Sequence, residues 1–429
     1  MDKNIYKACL EVMRAELVRA LGCTEPGAVA FAAGQAASLL GEFPDHLDVW
    51  CSGNIVKNVM GVIVPNSGGM RGIDAAAVLG ALCARADKEL EILTAVTPAD
   101  IEKAKQLLPT DYCKCMLEEG EGNLYIRVVA TKGSNSSEVI LRDGHTNITY
   151  MRQGDKVLVD KSTSEAKDPI TEYKKLLSIK NIIDFANNVE IADVKDMLDV
   201  AIKDNCAIAA EGLKNDYGAS VGKTILESYD NDVRTRARAK AAAGSDARMA
   251  GSSMPVVINS GSGNQGITVT VPIVEFAKEL NLTDEEMYRA LCVSNLVGVA
   301  IKRHIGKLSA FCGAISASTA VGAAITYMRG GSFEEICYTI TNTLANVGGV
   351  VCDGAKASCA PKIAAGLEAA MLADKMAAKK RHFAPGEGLV EEDIEKTIAN
   401  IGAMGRVGMA STDVEILHLM LGDVDPLAQ

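Results

Sequence analysis

The chain has 429 residues, of which 48% are hydrophobic and 23% charged, and its formal net charge is −11. At roughly 150 residues per domain, this length predicts two or three domains, each large enough for its own core. The acidic balance excludes nucleic acid and anionic membrane surfaces as main partners.

The first segment, residues 1–45, predicts two helices, because apolar residues recur at helical spacing in "YKACLEVMRAEL" and "PGAVAFAAGQAASLL". The break between them is "LGCTEPG", where Thr24 is expected to cap the second helix and Pro26 to fit its first turn. Cys23 therefore stands at the start of a helix, where free backbone N–H groups favour a thiolate.

Twelve cysteines are spread along the chain, and the charged N-terminus is unlike a signal peptide. Together they predict a reducing, cytoplasmic location in which thiols stay free. Each cysteine could be a disulfide partner, an inert core residue or a metal ligand. Cys9, Cys83, Cys292 and Cys337 lie in apolar helical patterns and are assigned to the core.

Residues 46–165 predict a smaller α+β domain, because the β-rich runs "LDVWCSGNIV", "NLYIRVVATK", "SSEVILRD" and "TNITYMRQGDKVLVD" alternate with helical stretches near 74–86 and 98–108. Within it, Asn54, Lys57 and Asn58 lie among apolar residues and glycines. A lysine between amides suggests anion binding, and a surface lysine on a strand edge is the alternative.

Residues 166–429 predict an all-α domain of close-packed Ala/Gly-rich helices, on which the N-terminal helices dock. The uncharged run 308–328 is long enough to span a membrane, but Ala, Gly, Ser and Thr dominate it. A buried helix is therefore expected, with no membrane partner. The predicted fold class is α+β, with a large all-α domain and an inserted smaller α+β domain, and assembly into a homo-oligomer is left open.

The stretch "SGSGNQG" has the glycine spacing of a dinucleotide-binding loop. That fingerprint needs a following helix, whereas "ITVTVPIVEF" is β-branched and contains a proline. Ser260, Asn264 and Gln265 instead offer donors for a small carboxylate. A purely structural turn is the alternative.

Three further cysteines share a small-residue context: Cys23, Cys312 in "SAFCGA" and Cys352 in "GGVVCDGAK". Three dispersed thiolates suit a 4Fe-4S cluster whose fourth iron has no protein thiolate and acts as a Lewis acid. Packing in the core is the alternative. His304 is the only histidine placed near these motifs, and no H-x-x-x-H pair exists, which disfavours a zinc hydrolase.

The motifs "LGCTEP", "NIVKNVMGVIVP", "NSGSGNQG", "KRHIGKLSAFCGA", "NVGGVVCDGAK" and "GMASTDVEIL" resemble, in order, those of the L-cysteine desulfidase family, oxygen-sensitive lyases related to the α-chain of iron–sulfur L-serine dehydratases. The resemblance covers nearly the whole chain. It implies a 4Fe-4S cluster held by Cys23, Cys312 and Cys352, with Cys359 set aside in favour of Cys352. His304 departs from the small polar residue expected there.

The resemblance also implies α,β-elimination of L-cysteine to hydrogen sulfide, pyruvate and ammonia. Lys302 and Lys356 are the candidate bases for the Cα proton. The substrate is expected to lie between the cluster and two loops, contacted by Asn54, Lys57, Asn58, Ser260, Asn264 and Gln265. The alternatives are an iron–sulfur L-serine dehydratase, a pyridoxal-phosphate lyase and a non-catalytic iron–sulfur or thiol sensor.

Overall fold

The computed structural model describes residues 1–161, 169–306 and 308–423. Its helices are α1 Lys3–Glu16, α2 Thr24–Leu40, α3 Gly53–Met60, α4 Ile73–Cys83, α5 Pro98–Leu107, α6 Pro169–Lys175, α7 Ile179–Asn188, α8 Ile191–Lys214, α9 Val221–Ser228, α10 Val233–Met249, α11 Gly263–Glu279, α12 Asp284–Ile305, α13 Gly313–Met328, α14 Phe333–Val347, α15 Cys359–Ala377, α16 Ile394–Ala403 and α17 Ala410–Leu421. Its strands are β1 Arg19–Leu21, β2 His46–Cys51, β3 Cys113–Leu117, β4 Tyr125–Lys132, β5 Asn135–Arg142, β6 Ile148–Gln153, β7 Lys156–Asp160 and β8 Pro255–Val257. This confirms the predicted α+β class with a large helical part.

Six strands form the larger sheet, in the order β3-β2-β4-β5-β6-β7. The β2–β3 pair is parallel and the other pairs are antiparallel. In strand β2, Leu47, Val49 and Cys51 alternate with less buried residues. An extended chain directs alternate side chains to the same face, so these three enter one apolar core. A second, two-stranded sheet pairs β1 with β8.

Helix α2 packs on α4 and on strands β4 and β5, whereas α1 packs on α6, α7, α8 and α12 of the helical part. The close approach of α2 to α4 requires Gly80, since a Cβ there would overlap the backbone of Ala30. The expectation that both N-terminal helices dock on the helical part stays a prediction. The predicted boundary after residue 45 stays a prediction, and the one at 165/166 lies outside the described residues.

The helical part is built around α13, which packs on α11, α12, α14 and α15. Most of its side chains are buried, which agrees with the prediction of a buried helix in the run 308–328. Small residues make this packing close, because Gly322 lies against Ala370 of α15. Within the described ranges, no helix is both long and apolar enough to cross a membrane.

Two segments that read as β-rich in the sequence are helical. "GNIVKNVM" forms α3, so Lys57 does not lie on a strand edge, and "ITVTVPIVEF" lies within α11 despite Pro272. Helix propensity differs between residues by less than about 1 kcal/mol outside proline, and tertiary packing overrides it. Residues Gly263 to Ala277 of α11 are all buried, so packing decides the conformation here.

Candidate functional site

Cys312 and Cys352 meet beside an isolated antiparallel bridge between Phe311 and Val351. The backbone N–H of each cysteine donates to a carbonyl of the facing segment, at 2.9 Å for Cys312 and 2.6 Å for Cys352. Residues that flank an antiparallel pair diagonally share one face and have Cα atoms about 7–8 Å apart. The bridge therefore holds both side chains on one side of the two segments.

Three thiols stand at helix N-termini. Cys23 is the N-cap residue of α2, Cys312 is the N-cap residue of α13, and Cys359 is the first residue of α15. The predicted cap, Thr24, is instead inside α2, and its hydroxyl donates to the carbonyl of Gly261 at 2.9 Å. The free N–H groups and the helix dipoles favour negative charge at these positions.

Cys23, Cys312, Cys352 and Cys359 all line one cavity of about 100 Å³. One water needs about 10–15 Å³ of such space, so the cavity admits a considerably larger group. The structure thus brings the three predicted ligands together. It also places Cys359, which the sequence interpretation set aside, on the same wall.

The chemistry of these donors fits an iron–sulfur cluster. Burial raises the pKa of Cys312 to about 12 and also raises the pKa of Cys23 and of Cys359, so thiolates here require a bound cation. Within the described residues, no group of three His, Cys, Asp or Glu side chains could hold a single metal ion. A 4Fe-4S cluster makes a different demand, because each thiolate binds its own iron at a separate corner.

Lys302 of α12 lines the same cavity, and only 4% of it is exposed. Burial lowers the pKa of Lys302 to about 8, although the neighbouring Cys352 and Cys312 act in the opposite direction. The neutral amine is therefore populated near physiological pH, as a general base requires.

Four predicted polar residues also line the cavity, namely Asn58, Ser260, Asn264 and Gln265. The Oδ1 atom of Asn264 and the Oε1 atom of Gln265 are buried and accept no hydrogen bond in the described part of the chain. Buried acceptors without donors are costly, so a ligand with donors is expected to satisfy them.

Asn54, Lys57 and Lys356 do not line the cavity. Asn54 and the buried Lys57 both bind Asp413 of α17, and Lys57 Nζ lies 3.4 Å from the carbonyl oxygen of Cys352. Lys356 pairs with Asp353 at 2.6 Å. The structure therefore does not bring these three residues to the cavity that the other predicted contacts line, and Lys57 instead supports the backbone of the Cys352 segment.

Glu25, His145 and Arg248 line the cavity, and sequence interpretation missed all three. His304, in contrast, lines a different cleft. Asp246 and Arg248 interrupt the small-residue run "GSDARMAGSS" and could have been recognised as candidates from the sequence. Charged side chains are rarely buried in a closely packed helix unless they have a partner. His145 had no such signal, since it lies in an ordinary turn between β5 and β6.

The Glu25 carboxylate is the negative pole of the cavity. Its Oε2 atom lies 2.9 Å from Cys23 Sγ, which donates to it while the thiol is protonated, and 3.0 Å from the Thr24 hydroxyl oxygen. Its Oε1 atom lies 3.8 Å from His145 Nε2. Burial alone would raise the pKa of Glu25, but His145, Cys23 and Arg248 outweigh burial and lower that pKa to about 2.

The glycine spacing of "GSGNQG" has a structural explanation. Gly261 has a φ of +77°, which favours glycine, and a Cβ on Gly263 would lie 2.9 Å from the Arg248 Cζ atom. Strand β8 pairs with β1 in an antiparallel two-stranded sheet, so the parallel βαβ setting of a dinucleotide site is missing here. The loop brings α11 close to β8 and to the cavity.

Replacing Gly266 by alanine is expected to lower the free energy of unfolding by about 1–3 kcal/mol, because its Cβ would overlap the carbonyl oxygen of Val257. Chemical denaturation would measure the change. Gly408→Ala is the matched control, since its Cβ would meet only Met404 Cγ at 3.8 Å. Equal stability of the two variants would contradict the proposed close approach.

A cavity lined by thiols and a buried lysine, in an α+β chain with a large helical part, defines a candidate enzyme site. The chain belongs to the serine dehydratase alpha chain family, whose model matches residues 87–418. It is 47% identical to a UPF0597 protein of Lachnoclostridium phytofermentans, over 97% of this chain and 100% of the relative. A UPF0597 protein of Desulfitobacterium hafniense is 45% identical, with 97% of each chain covered. These relationships support a serine dehydratase-like lyase.

Proposed function

We propose that the protein is an iron–sulfur lyase that converts L-cysteine to sulfide, pyruvate and ammonia, with Cys23, Cys312 and Cys352 as ligands of a 4Fe-4S cluster. The observation that carries this proposal is the convergence of the three thiols and Lys302 on one buried cavity. When bound, such a cluster leaves one iron without a protein thiolate and supplies a Lewis acid for the leaving group.

Lys302 is the proposed base. Its neutral Nζ takes the proton from Cα, the Cα electrons form the Cα–Cβ double bond, and the Cβ–S bond breaks to release sulfide. The resulting enamine tautomerises and is hydrolysed by water to pyruvate and ammonia. Asn58, Asn264 and Gln265 hold the amino acid, so that its Cα proton faces the amine.

The apolar part of the cavity lining favours sulfur as the leaving atom. Phe311, Ala314 and Ile363 are apolar, and Ser309 already donates its hydroxyl to the carbonyl of Gly405 at 2.9 Å. A departing hydroxide needs a donor that these groups do not offer, whereas a thiol ionises far more readily than a hydroxyl. L-cysteine is therefore proposed as the preferred substrate.

A larger cleft of about 540 Å³ shares Ser260 and Lys302 with the cavity. Lys174, Lys175 and Arg303 line it together with Glu16, which pairs with Lys174, so the net charge of its walls is positive. Positive walls raise the local concentration of anionic ligands, and this cleft is the proposed route for the substrate carboxylate.

An iron–sulfur L-serine dehydratase is the second candidate, because the matching family model carries the serine dehydratase description. The same base and the same cluster serve both reactions, and the two differ in the atom that leaves Cβ. The pyridoxal-phosphate lyase of the sequence analysis would leave the convergence of the cysteines unexplained.

Anaerobic purification followed by iron, acid-labile sulfide and pyridoxal-phosphate analysis tests this proposal, together with sulfide and pyruvate assays. We expect about four irons per chain, loss of activity in air, and a kcat/KM for L-cysteine at least about tenfold above that for L-serine, which is about 1.4 kcal/mol. Stoichiometric pyridoxal phosphate without iron would overturn the cluster. Equal turnover of serine would replace the desulfidase by the dehydratase.

A further inference from the structure

Arg248 is a buried cation without a close ion pair in the described part of the chain, although the charge of Glu25 in the same cavity acts on it. It is 2% exposed, and its Nε donates to the carbonyl of Gly22 at 2.8 Å. Within the described residues, no carboxylate oxygen pairs with its guanidinium within 4.0 Å. A buried charge without a partner is strongly unfavourable, so an anion that enters the cavity is the expected partner.

The guanidinium lies at the cavity wall beside Gly263, at the start of α11. A Cβ on Gly263 would overlap the Arg248 Nε atom, so a side chain there would collide with it. A planar guanidinium has parallel N–H donors that match the two oxygens of a carboxylate. This geometry suits a carboxylate better than a single-atom anion.

The other charged wall is an acceptor surface. The Glu25 Oε1 atom has only a long contact of 3.5 Å with the Asn58 amide, in addition to His145 at 3.8 Å. The side chains of Asn264 and Gln265 line the same cavity. An ammonium group has three donors and no acceptor, which is the complement of the Glu25 carboxylate.

We infer that Arg248 and Glu25 form the recognition pair for a free, zwitterionic α-amino acid, with Arg248 binding the α-carboxylate and Glu25 binding the α-ammonium group. The inference rests on the proposed function and adds to it the requirement for both charged groups. Peptides, N-acylated amino acids and amino-acid amides are excluded, because none of them carries both charges on one Cα atom. With the side chain directed to the cysteines, the two poles also decide whether the single Cα hydrogen of the L- or of the D-enantiomer faces Lys302.

The test is calorimetric titration of the anaerobic, cluster-containing protein with three compounds that have no β leaving group. L-alanine carries both charges, L-alaninamide lacks the carboxylate, and propanoate lacks the ammonium group. We expect the wild-type protein to bind L-alanine at least about tenfold more tightly than either analogue, because charge-assisted hydrogen bonds are lost with each pole. Binding of all three compounds with equal affinity would overturn the inference without the need for any variant.

Two variants then assign the poles. Arg248→Met is expected to bind L-alanine no better than L-alaninamide, and Glu25→Gln no better than propanoate, with iron content measured for each variant. Arg236→Met is the matched control on the same helix, since Arg236 pairs with Glu279 at 2.6 Å and does not line the cavity. An Arg248→Met protein that keeps the wild-type preference for alanine over alaninamide would contradict the assignment and would indicate that Arg248 only balances the charge of the cluster.

The outcomes also separate this inference from the proposed function. Selective alanine binding without lyase activity on cysteine or serine would support the recognition pair and refute the lyase. Lyase activity with unchanged ligand selectivity in both variants would support the lyase and refute the recognition pair.

Discussion

Replacement of Cys23, Cys312 or Cys352 by serine is expected to abolish cluster retention and lyase activity together. A serine hydroxyl is a harder and far less acidic ligand than a thiol, and it does not replace a thiolate on an iron–sulfur cluster. Each variant should fall from about four irons per chain to near none after anaerobic purification and desalting. Iron and acid-labile sulfide analysis would measure the loss.

Two kinds of control sharpen this experiment. Cys9→Ser changes a fully buried core thiol far from the cavity, and Cys337→Ser changes a half-buried one. Cys359→Ser is the closest control, because Cys359 lines the same cavity and is expected to be dispensable for the cluster. Full iron content in Cys352→Ser and loss of iron in Cys359→Ser would show that Cys359, and not Cys352, is the third ligand.

Lys302→Met is expected to lower kcat/KM by about 10²- to 10⁴-fold while the cluster is retained, which is the usual contribution of a general base. Methionine has a similar shape and removes a buried charge, so the variant should remain folded. Iron content and far-UV circular dichroism would establish that only the chemistry has changed.

The pH dependence provides a second readout for Lys302. Its pKa of about 8 is lower than the ordinary value of 10.5, and only the deprotonated amine accepts a proton. Activity of the wild-type enzyme should therefore rise about tenfold per pH unit below pH 8 and level off above it. The residual activity of Lys302→Met should lack this rise, whereas Lys356→Met should keep it. A wild-type profile that is flat between pH 6 and 9 would remove Lys302 from the role of base.

Most of the secondary structure could be predicted from local pattern. Amphipathic or alternating sequences gave α1, β4 and β5 correctly, because these elements each bury one face. Helices α3 and α11 were not predicted. The β-branched residues of α11 lie in fully packed surroundings, where burial on all sides removes the periodic signal. Helix α3 has only 8 residues, and its run of Ile55, Val56 and Val59 reads as a strand.

The site was predictable to a similar extent. Cys23, Cys312 and Cys352 carry chemistry that is recognisable in a short motif, and the structure brings them to one cavity. Arg248 and His145 reach that cavity through long-range packing of α10 and of the β5–β6 turn, which one sequence does not reveal. The burial of Lys57 could not be predicted from the sequence, because its ion pair with Asp413 of α17 joins distant parts of the chain.

The bridge between Phe311 and Val351 has a consequence for the maturation of the enzyme. Backbone hydrogen bonds already fix Cys312 and Cys352 relative to each other, whereas Cys23 stands at the start of a helix that packs on the six-stranded sheet. Under the proposed ligand set, a cluster carrier would transfer the cluster first to Cys312 and Cys352, whose positions are already fixed. Binding to Cys23 would then complete the transfer. The bound cluster would then link α2 and the six-stranded sheet to the helical part. A shortage of iron would therefore weaken the contact between these two parts of the protein.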